Sequence, residues 1–207
     1  RTQVTNGQYL EFVKSGGYAS PDHWSEDGWA WRSFRNTKWP HFWERTGPQG
    51  VHEYSLRLPF DEVPLPLDLP AEVNKHEAHA YASWLSSETN QSLRLPTEAE
   101  YHLMLEANND CTLAKARGNE SIDDVVTKGA KELSATPLNA NLAWGSPSSV
   151  YDGQTPFSGL RGNSWEYCED WFAALPGYET HPLYEDFSTP CFDGQHALIQ
   201  GGSFAST

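Results

Sequence analysis

The residues best suited to chemistry lie late in the chain, in Gly162-Asn163-Ser164-Trp165-Glu166-Tyr167-Cys168-Glu169-Asp170-Trp171. A turn, three aromatics, a thiol and three acids share ten positions there. If Trp165 and Tyr167 occupy one face of a strand, as a period of two requires, Trp165 packs and the Tyr167 hydroxyl reaches the rim. A phenol at a rim donates a proton or binds a substrate carboxylate. The alternative, a packed tyrosine with an internally bonded hydroxyl, stands equally open on the residues alone. Cys168 and Cys191 would be nucleophiles only beside a base or positive charge, and their acidic surroundings instead raise a thiol pKa. They read as buried, inert thiols. The acids Glu166, Glu169, Asp170, Glu185, Asp186 and Asp193 lack the alternating oxygen ligands of a calcium loop. They read as solvated groups or as partners for Arg94 and Arg161. His76-Glu77-Ala78-His79 is not the zinc-protease spacing, which sets two histidines four apart. The two histidines read as solvent-facing or capping, and no metal is assigned to them.

Around these groups the chain announces its helices by their caps. Thr5 or Asn6 starts a short amphipathic helix with Tyr9, Leu10, Phe12 and Val13 on one face, and Gly16-Gly17 ends it. Asn74 caps a second, with Glu77 at the capping-box position and Ala78, Tyr81, Ala82 and Leu85 at helical spacing. Leu93-Arg94-Leu95 reads as a strand, stopped by Pro96 and followed by a helix capped by Thr97 with Glu100 at the box position. Between the first two helices, residues 18–50 hold Trp24, Trp29, Trp31, Trp39 and Trp43 without a period of 2.0 or 3.6. They are expected to be a loop that packs its own aromatics. Three prolines make residues 60–70 extended. Residues 107–140 are polar and weakly patterned, an exposed excursion, and Ala197-Leu198-Ile199-Gln200 reads as a strand running into Gly201-Gly202.

The 207 residues suit one domain, since a chain of that length buries roughly 70% of its unfolded surface. Nine tryptophans, sixteen glycines and fourteen prolines predict a loop-rich fold with an aromatic core. The formal charge of −14 argues against nucleic acid and anionic membrane as partners, both of which need basic patches. No apolar run reaches the ~18 residues of a membrane span. Three widely spaced cysteines fit neither a disulfide framework nor a zinc site, and predict reduced thiols in the cytoplasm. The opening Arg1-Thr2-Gln3-Val4-Thr5 carries no signal core and is expected to be an internal cut.

Five ordered motifs carry a family likeness: Val4-Thr5-Asn6-Gly7-Gln8-Tyr9, Gly28-Trp29-Ala30-Trp31, Leu93 to Tyr101, Gly162 to Tyr167, and Gly201-Gly202-Ser203-Phe204. Together they resemble the formylglycine-generating-enzyme-like (sulfatase-modifying-factor) domain over nearly the whole chain, residues 1–207. The resemblance implies a C-type-lectin-like α+β fold with little regular structure. Pro40-His41-Phe42-Trp43, Val73 to Ala78 and Asp186 to Gly194 narrow it to the non-haem iron sulfoxide synthases. They are most similar to the 5-histidylcysteine sulfoxide synthases of ovothiol biosynthesis, with the ergothioneine-pathway synthases as the alternative. Both classes use Fe(II) and O2 to join a cysteine-type sulfur to an imidazole carbon of a histidine derivative. By the resemblance, Tyr167 matches a catalytic tyrosine that contacts substrate and delivers a proton, while Trp165 and Phe204 belong to the substrate wall. The family's three-histidine iron site is implied to lie in a preceding helical (DinB-like) domain. This chain shows no matching histidine pair, so Fe(II) is expected to be held elsewhere in the intact protein and the isolated chain to be inactive. Formylglycine-generating enzymes proper use a cysteine pair after Gly-Gly-Ser, which is absent here. A non-catalytic lectin-like binding module, engaging a peptide, sugar or protein through its aromatic loop, is the remaining alternative.

Overall fold

The computed structural model describes residues 2–108, 146–150, 156–184 and 189–205. The expected excursion over 107–140 lies almost wholly outside these residues, as do Cys111, Glu185 and Asp186. The described part is mixed α+β, with four α-helices and two small antiparallel sheets.

Helix α1 (Asn6–Lys14) begins where its sequence says. The Gln8 amide donates to Thr5 Oγ1 at 3.2 Å while the Thr5 amide donates to Gln8 Oε1 at 2.9 Å, which together form a capping box. Two further helix-start amides, of Asn6 and Gly7, are taken by the carbonyls of Leu69 and Leu67 in the extended proline-rich stretch. Tyr9, Leu10, Phe12 and Val13 are buried as expected. Gly17 passes so close to Phe12 that a Cβ there would lie 2.1 Å from the ring, which ties the helix end to the core.

Residues 18–50 depart from the expected loop. A helix α2 spans Glu26–Arg35, capped by Ser25, whose Oγ accepts from the Gly28 amide at 3.1 Å. Glu26 and Asp27 sit in its first turn, Arg32 and Arg35 in its last, and Asn36 closes it in the left-handed conformation. These end signals outweigh the poor periodicity. Trp29, Trp31 and Phe34, spread around a ten-residue helix, blur the apolar stripe that a period search seeks. Strands β1 (Trp43–Arg45), β2 (Tyr54–Arg57) and β3 (Glu62–Pro64) then form a meander, with Trp43 opposite Leu56 and Leu56 opposite Val63.

Helix α3 (Lys75–Thr89) has the expected box: Asn74 Oδ1 accepts from the Glu77 amide at 3.0 Å, and Glu77 Oε2 from the Asn74 amide at 2.8 Å. Its buried residues include Lys75 and Glu77 beside Ala80 and Tyr81, two charged groups the apolar pattern gave no warning of. Residues 93–95 are not a strand. Among the described residues no strand pairs with them, and the Leu93 amide donates instead to Ser86 Oγ at 3.0 Å. Helix α4 (Glu98–Ala107) follows, with Thr97 and Glu100 forming the third capping box. At its end Asn108 clamps Phe157: its Nδ2 donates to the Phe157 carbonyl and its Oδ1 accepts from the Phe157 amide at 3.0 Å.

The last sheet pairs β4 (Glu166–Trp171) with β5 (Ala197–Gln200). Tyr167 faces Ile199 and Trp171 faces Ala197, so Cys168, Glu169 and Asp170 share one partner residue and the strand bulges there. Two cores result. The larger is aromatic, with Tyr9 stacked on Tyr81 at 5.2 Å, Phe12 edge-on to both, and Tyr18, Trp24 and Trp43 around them. Each such ring pair contributes about 1 kcal/mol beyond its buried area. The smaller joins Tyr101, Leu105, Leu160, Cys168 and Leu198, fixing α4 against β4 and β5.

Candidate functional site

The wall around Tyr167 is set by turns as much as by strands. Beyond β5 the chain runs through Gly201 and Gly202, both at positive φ (96° and 77°). A Cβ on Gly201 would lie 2.7 Å from the Leu160 carbonyl oxygen and 2.9 Å from the Tyr101 hydroxyl, so only glycine fits. Two backbone bonds then lock this turn to the one before β4: the Gly162 amide to the Gly201 carbonyl and the Phe204 amide to the Asn163 carbonyl, each 2.9 Å. Gln3 ties the start of the chain into the same corner. Its Nε2 donates to the Gly159 carbonyl at 3.0 Å and to Glu166 Oε1 at 3.1 Å, and its Oε1 accepts from Asn163 Nδ2 at 3.0 Å.

Tyr167 is half-buried on β4. Burial, and then the negative field of Glu77, push its phenol above the ordinary 10, so it is a neutral proton donor throughout the physiological range. Glu77 itself is buried and accepts from the Tyr18 hydroxyl at 2.6 Å; the Tyr18 and Tyr9 hydroxyls lie 3.1 Å apart. Burial raises the Glu77 carboxyl, while the Asn74 amide and the Tyr18 hydroxyl hold it down. Both Tyr9 and Tyr18 are pushed well above the usual phenol range by burial, so this chain of hydroxyls stays protonated.

Lys75 carries the bulge. Its Nζ donates to the carbonyls of Glu169 and Asp170 at 2.9 and 3.0 Å and lies 4.2 Å from the Trp171 ring centroid. Burial lowers its pKa, against the pull of Glu169 and Asp170. Asp170 turns its Oδ2 to the Glu98 amide at 2.6 Å and so helps to cap α4. Arg94 pairs directly with Glu100 at 2.7 Å and feels Glu169 and Asp170 only through their charge. Glu166 is not a solvated acid. Burial pushes its carboxyl up to about 7, and the Gln3 hydrogen bond only partly offsets this. The histidines are neither solvent-facing nor caps: both are half-buried, His76 stacked on Trp31 at 6.0 Å and His79 3.8 Å from Glu169 Oε2. Cys168 is fully buried and burial pushes its thiol up to about 11, in keeping with an inert role; Cys191 is only partly buried.

Trp165 departs from its expected place. It precedes β4, is 49% exposed, and so does not pack beneath Tyr167. Phe204 is partly buried and lines a cavity of about 340 Å³ together with Phe42, Arg57, Leu58, Pro59 and Glu72. The fold thus holds Tyr167 and Phe204 on one locked hairpin and leaves Trp165 at the surface. Sequence reasoning missed Lys75, though a signal existed: a lysine in the first turn of a helix opposes the helix dipole and needs another reason to be there. Gln3, Arg57 and Glu72 carried no comparable signal.

Fe(II) needs three or more converging N, O or S donors. Among the described residues no group of three His, Cys, Asp or Glu side chains converges, so these residues do not fit an iron site. No helix among them is long and apolar enough to cross a membrane.

The sequence matches the family model of the sulfatase-modifying factor enzyme 1-like domain over residues 1–207. It is 30% identical over 216 residues to the hercynine oxygenase of Mycobacterium tuberculosis, covering 99% of this chain and 44% of that protein. The hercynine oxygenase of Mycolicibacterium smegmatis is 29% identical, with 99% and 45% covered. Ergothioneine biosynthesis protein 1 of Schizosaccharomyces pombe is 24% identical, with 98% and 21% covered. The chain therefore spans less than half the length of these relatives. With the family model matched from end to end, this chain belongs to the sulfatase-modifying factor enzyme 1-like domain family.

Proposed function

We propose that this chain is the C-type-lectin-like, substrate-binding domain of a cytoplasmic O2-dependent sulfoxide synthase, joining a cysteine-type sulfur to an imidazole carbon. Alignment of nearly the whole chain with hercynine oxygenases supports the reading. The reaction balances as thiol plus imidazole C–H plus O2 giving the aryl sulfoxide and one water. Fe(II) belongs to the proposal as a cofactor of the intact protein, held by groups other than the described residues. Tyr167 is the catalytic residue of this domain: its phenol, kept neutral by burial and by Glu77, supplies a proton as oxygen is reduced and is reprotonated from solvent. Phe204 contributes to the substrate wall, and Trp165 is available there only as an exposed rim residue.

Two imidazole substrates compete. The Trp-rich segment ending Pro40-His41-Phe42-Trp43 and the residues Asp186 to Gly194 favour histidine, the ovothiol-type substrate. The names of the relatives favour hercynine. Turnover by the full-length Fe(II) protein under O2, with cysteine or γ-glutamylcysteine and with histidine or Nα-trimethylhistidine, separates them by product mass. Tyr167→Phe should divert turnover from the sulfoxide toward simple thiol oxidation while changing stability by less than about 1 kcal/mol. An unchanged product ratio would reduce Tyr167 to a packing residue.

A further inference from the structure

Glu77 is buried against the aromatic core, where its capping role does not account for its charge. A glutamine at that position completes the same box with Asn74, and burying a carboxylate costs free energy that a neutral amide avoids. What the charge meets is a phenol. The Tyr18 hydroxyl donates to Glu77 Oε1 at 2.6 Å and lies 3.1 Å from the Tyr9 hydroxyl, while Glu77 Oε2 accepts from the Asn74 amide at 2.8 Å. Tyr18 and Glu77 are each 3% exposed, so bulk water does not compete for the shared proton. From the Tyr18 ring a run of indoles leads outward. Trp24 lies 5.4 Å from Tyr18, and Trp29 and Trp31 each lie 6.4 Å from Trp24, centroid to centroid, all within the range of direct ring contact. Trp24 is buried and gives its Nε1–H to the Gly17 carbonyl at 2.7 Å, whereas Trp29 and Trp31 on α2 are only partly buried.

We infer that Tyr18 and Glu77 form a proton-coupled one-electron oxidation site, connected to the surface of α2 through Trp24. Its reactant is a strong one-electron oxidant such as carbonate radical anion. The oxidant takes an electron from the Trp29 or Trp31 indole and is itself reduced to carbonate. Trp24 refills that indole, and Tyr18 refills Trp24. A phenol gives up an electron readily only when a base takes its proton, and here the hydroxyl proton crosses to Glu77 Oε1 as the electron leaves. Tyr18 is left as a neutral phenoxyl radical and Glu77 as a neutral carboxylic acid, so no charge builds up on the buried ring. The Tyr9 hydroxyl, 3.1 Å away, donates to the phenoxyl oxygen and holds it. A soluble one-electron donor such as ascorbate returns the electron through the same indoles, and the proton goes back from Glu77. Burial raises the Glu77 carboxyl, which makes it a stronger base than a free glutamate. The site uses no metal and is independent of the reaction proposed above.

Flash oxidation of the full-length protein by photogenerated ruthenium(III) tris-bipyridine, followed by transient absorption, tests the route. In the wild type the tryptophan radical should fade as a tyrosyl radical grows in at the same rate, and that rate should fall in D2O. Tyr18→Phe should cut the long-lived tyrosyl yield severalfold, and Trp24→Phe should leave the radical on tryptophan. Glu77→Gln keeps the capping box but has no place for the proton, so it should lower the tyrosyl yield severalfold without lowering the thermal midpoint. Near-ultraviolet circular dichroism shows which variants fold. If Tyr18→Phe does not, the Glu77→Gln yield and the wild-type rate in D2O decide the matter. Wild-type radicals that stay on tryptophan, a tyrosyl yield that survives Tyr18→Phe, or one untouched by Glu77→Gln would each overturn the site.

Discussion

Replacing Glu166 by glutamine should stabilise the protein at about pH 8 and change it little at about pH 5. The carboxyl sits on β4 beside the Gln3 amide, and burial raises it to about 7 from the 4.5 of a free glutamate. Because the folded value exceeds the unfolded one, the native state holds the proton more tightly. Its stabilising contribution is complete below about pH 4.5 and is lost as pH rises through about 7. The rise from 4.5 to about 7 corresponds to about 3 kcal/mol, which falls to about 2 kcal/mol because part of the Glu166 side chain still reaches water. Glutamine keeps the oxygen that accepts from Gln3 and cannot ionise, so it escapes the alkaline loss. Urea unfolding of wild type and variant at the two pH values gives the answer directly. The variant's midpoint should gain about 1 M over the wild type at the higher pH relative to the lower. A difference between the two proteins that does not change with pH would mean that Glu166 ionises freely and that its carboxyl is not held in a dry corner.

The remaining expectations concern the hairpin's supports. Gly201→Ala forces a Cβ into the Leu160 carbonyl at a positive φ and should cost about 3 kcal/mol or more, seen as a drop in thermal midpoint; a loss under about 1 kcal/mol would show that the two turns separate easily. Lys75→Met leaves the Glu169 and Asp170 carbonyls without their donor and removes the contact on Trp171. It should cost about 2–3 kcal/mol and speed amide exchange within β4, and normal exchange there would show that the bulge stands without it. Cys168, buried with a thiol near 11, should react with iodoacetamide at least about a hundredfold more slowly in the folded protein than in urea. Equal rates, followed by peptide mapping of that residue, would show the second core to be open.

What the sequence made legible was local. The three capping boxes each involve residues three apart, Thr5 with Gln8, Asn74 with Glu77, and Thr97 with Glu100, and all three helices start where those pairs stand. Helix α2 was equally marked at its ends by Ser25 and Asn36, but tryptophans on several sides hid its stripe. The strand expected over Leu93-Arg94-Leu95 had the right alternation but no pairing strand among the described residues, and strand formation depends on the neighbour. Site features fared the same way. Tyr167 could be placed on a strand next to a turn, but the burial of Glu166 depends on Gln3, some 160 residues earlier, and the cavity beside Phe204 is built from four separate segments. Trp165 went astray because the strand begins one residue after it, so the alternation that should have buried it never applies.

The Asn108 clamp has a bearing on how this domain can diverge. By holding Phe157 through both its amide and its carbonyl, one side chain fixes the spacing between the end of α4 and the approach to Leu160, the Gly162 turn and β4. A further anchor stands at Ser148, whose amide and carbonyl bond the Asn163 side chain at 2.7 and 3.1 Å, so the number of residues threaded between Asn108 and Ser148 is decoupled from the geometry of the hairpin. Doubling a connecting length adds only about 0.6 kcal/mol of closure entropy. Descendants of this domain can therefore lengthen, shorten or rewrite that stretch, and acquire new surface chemistry there, while Tyr167 and Phe204 keep their places.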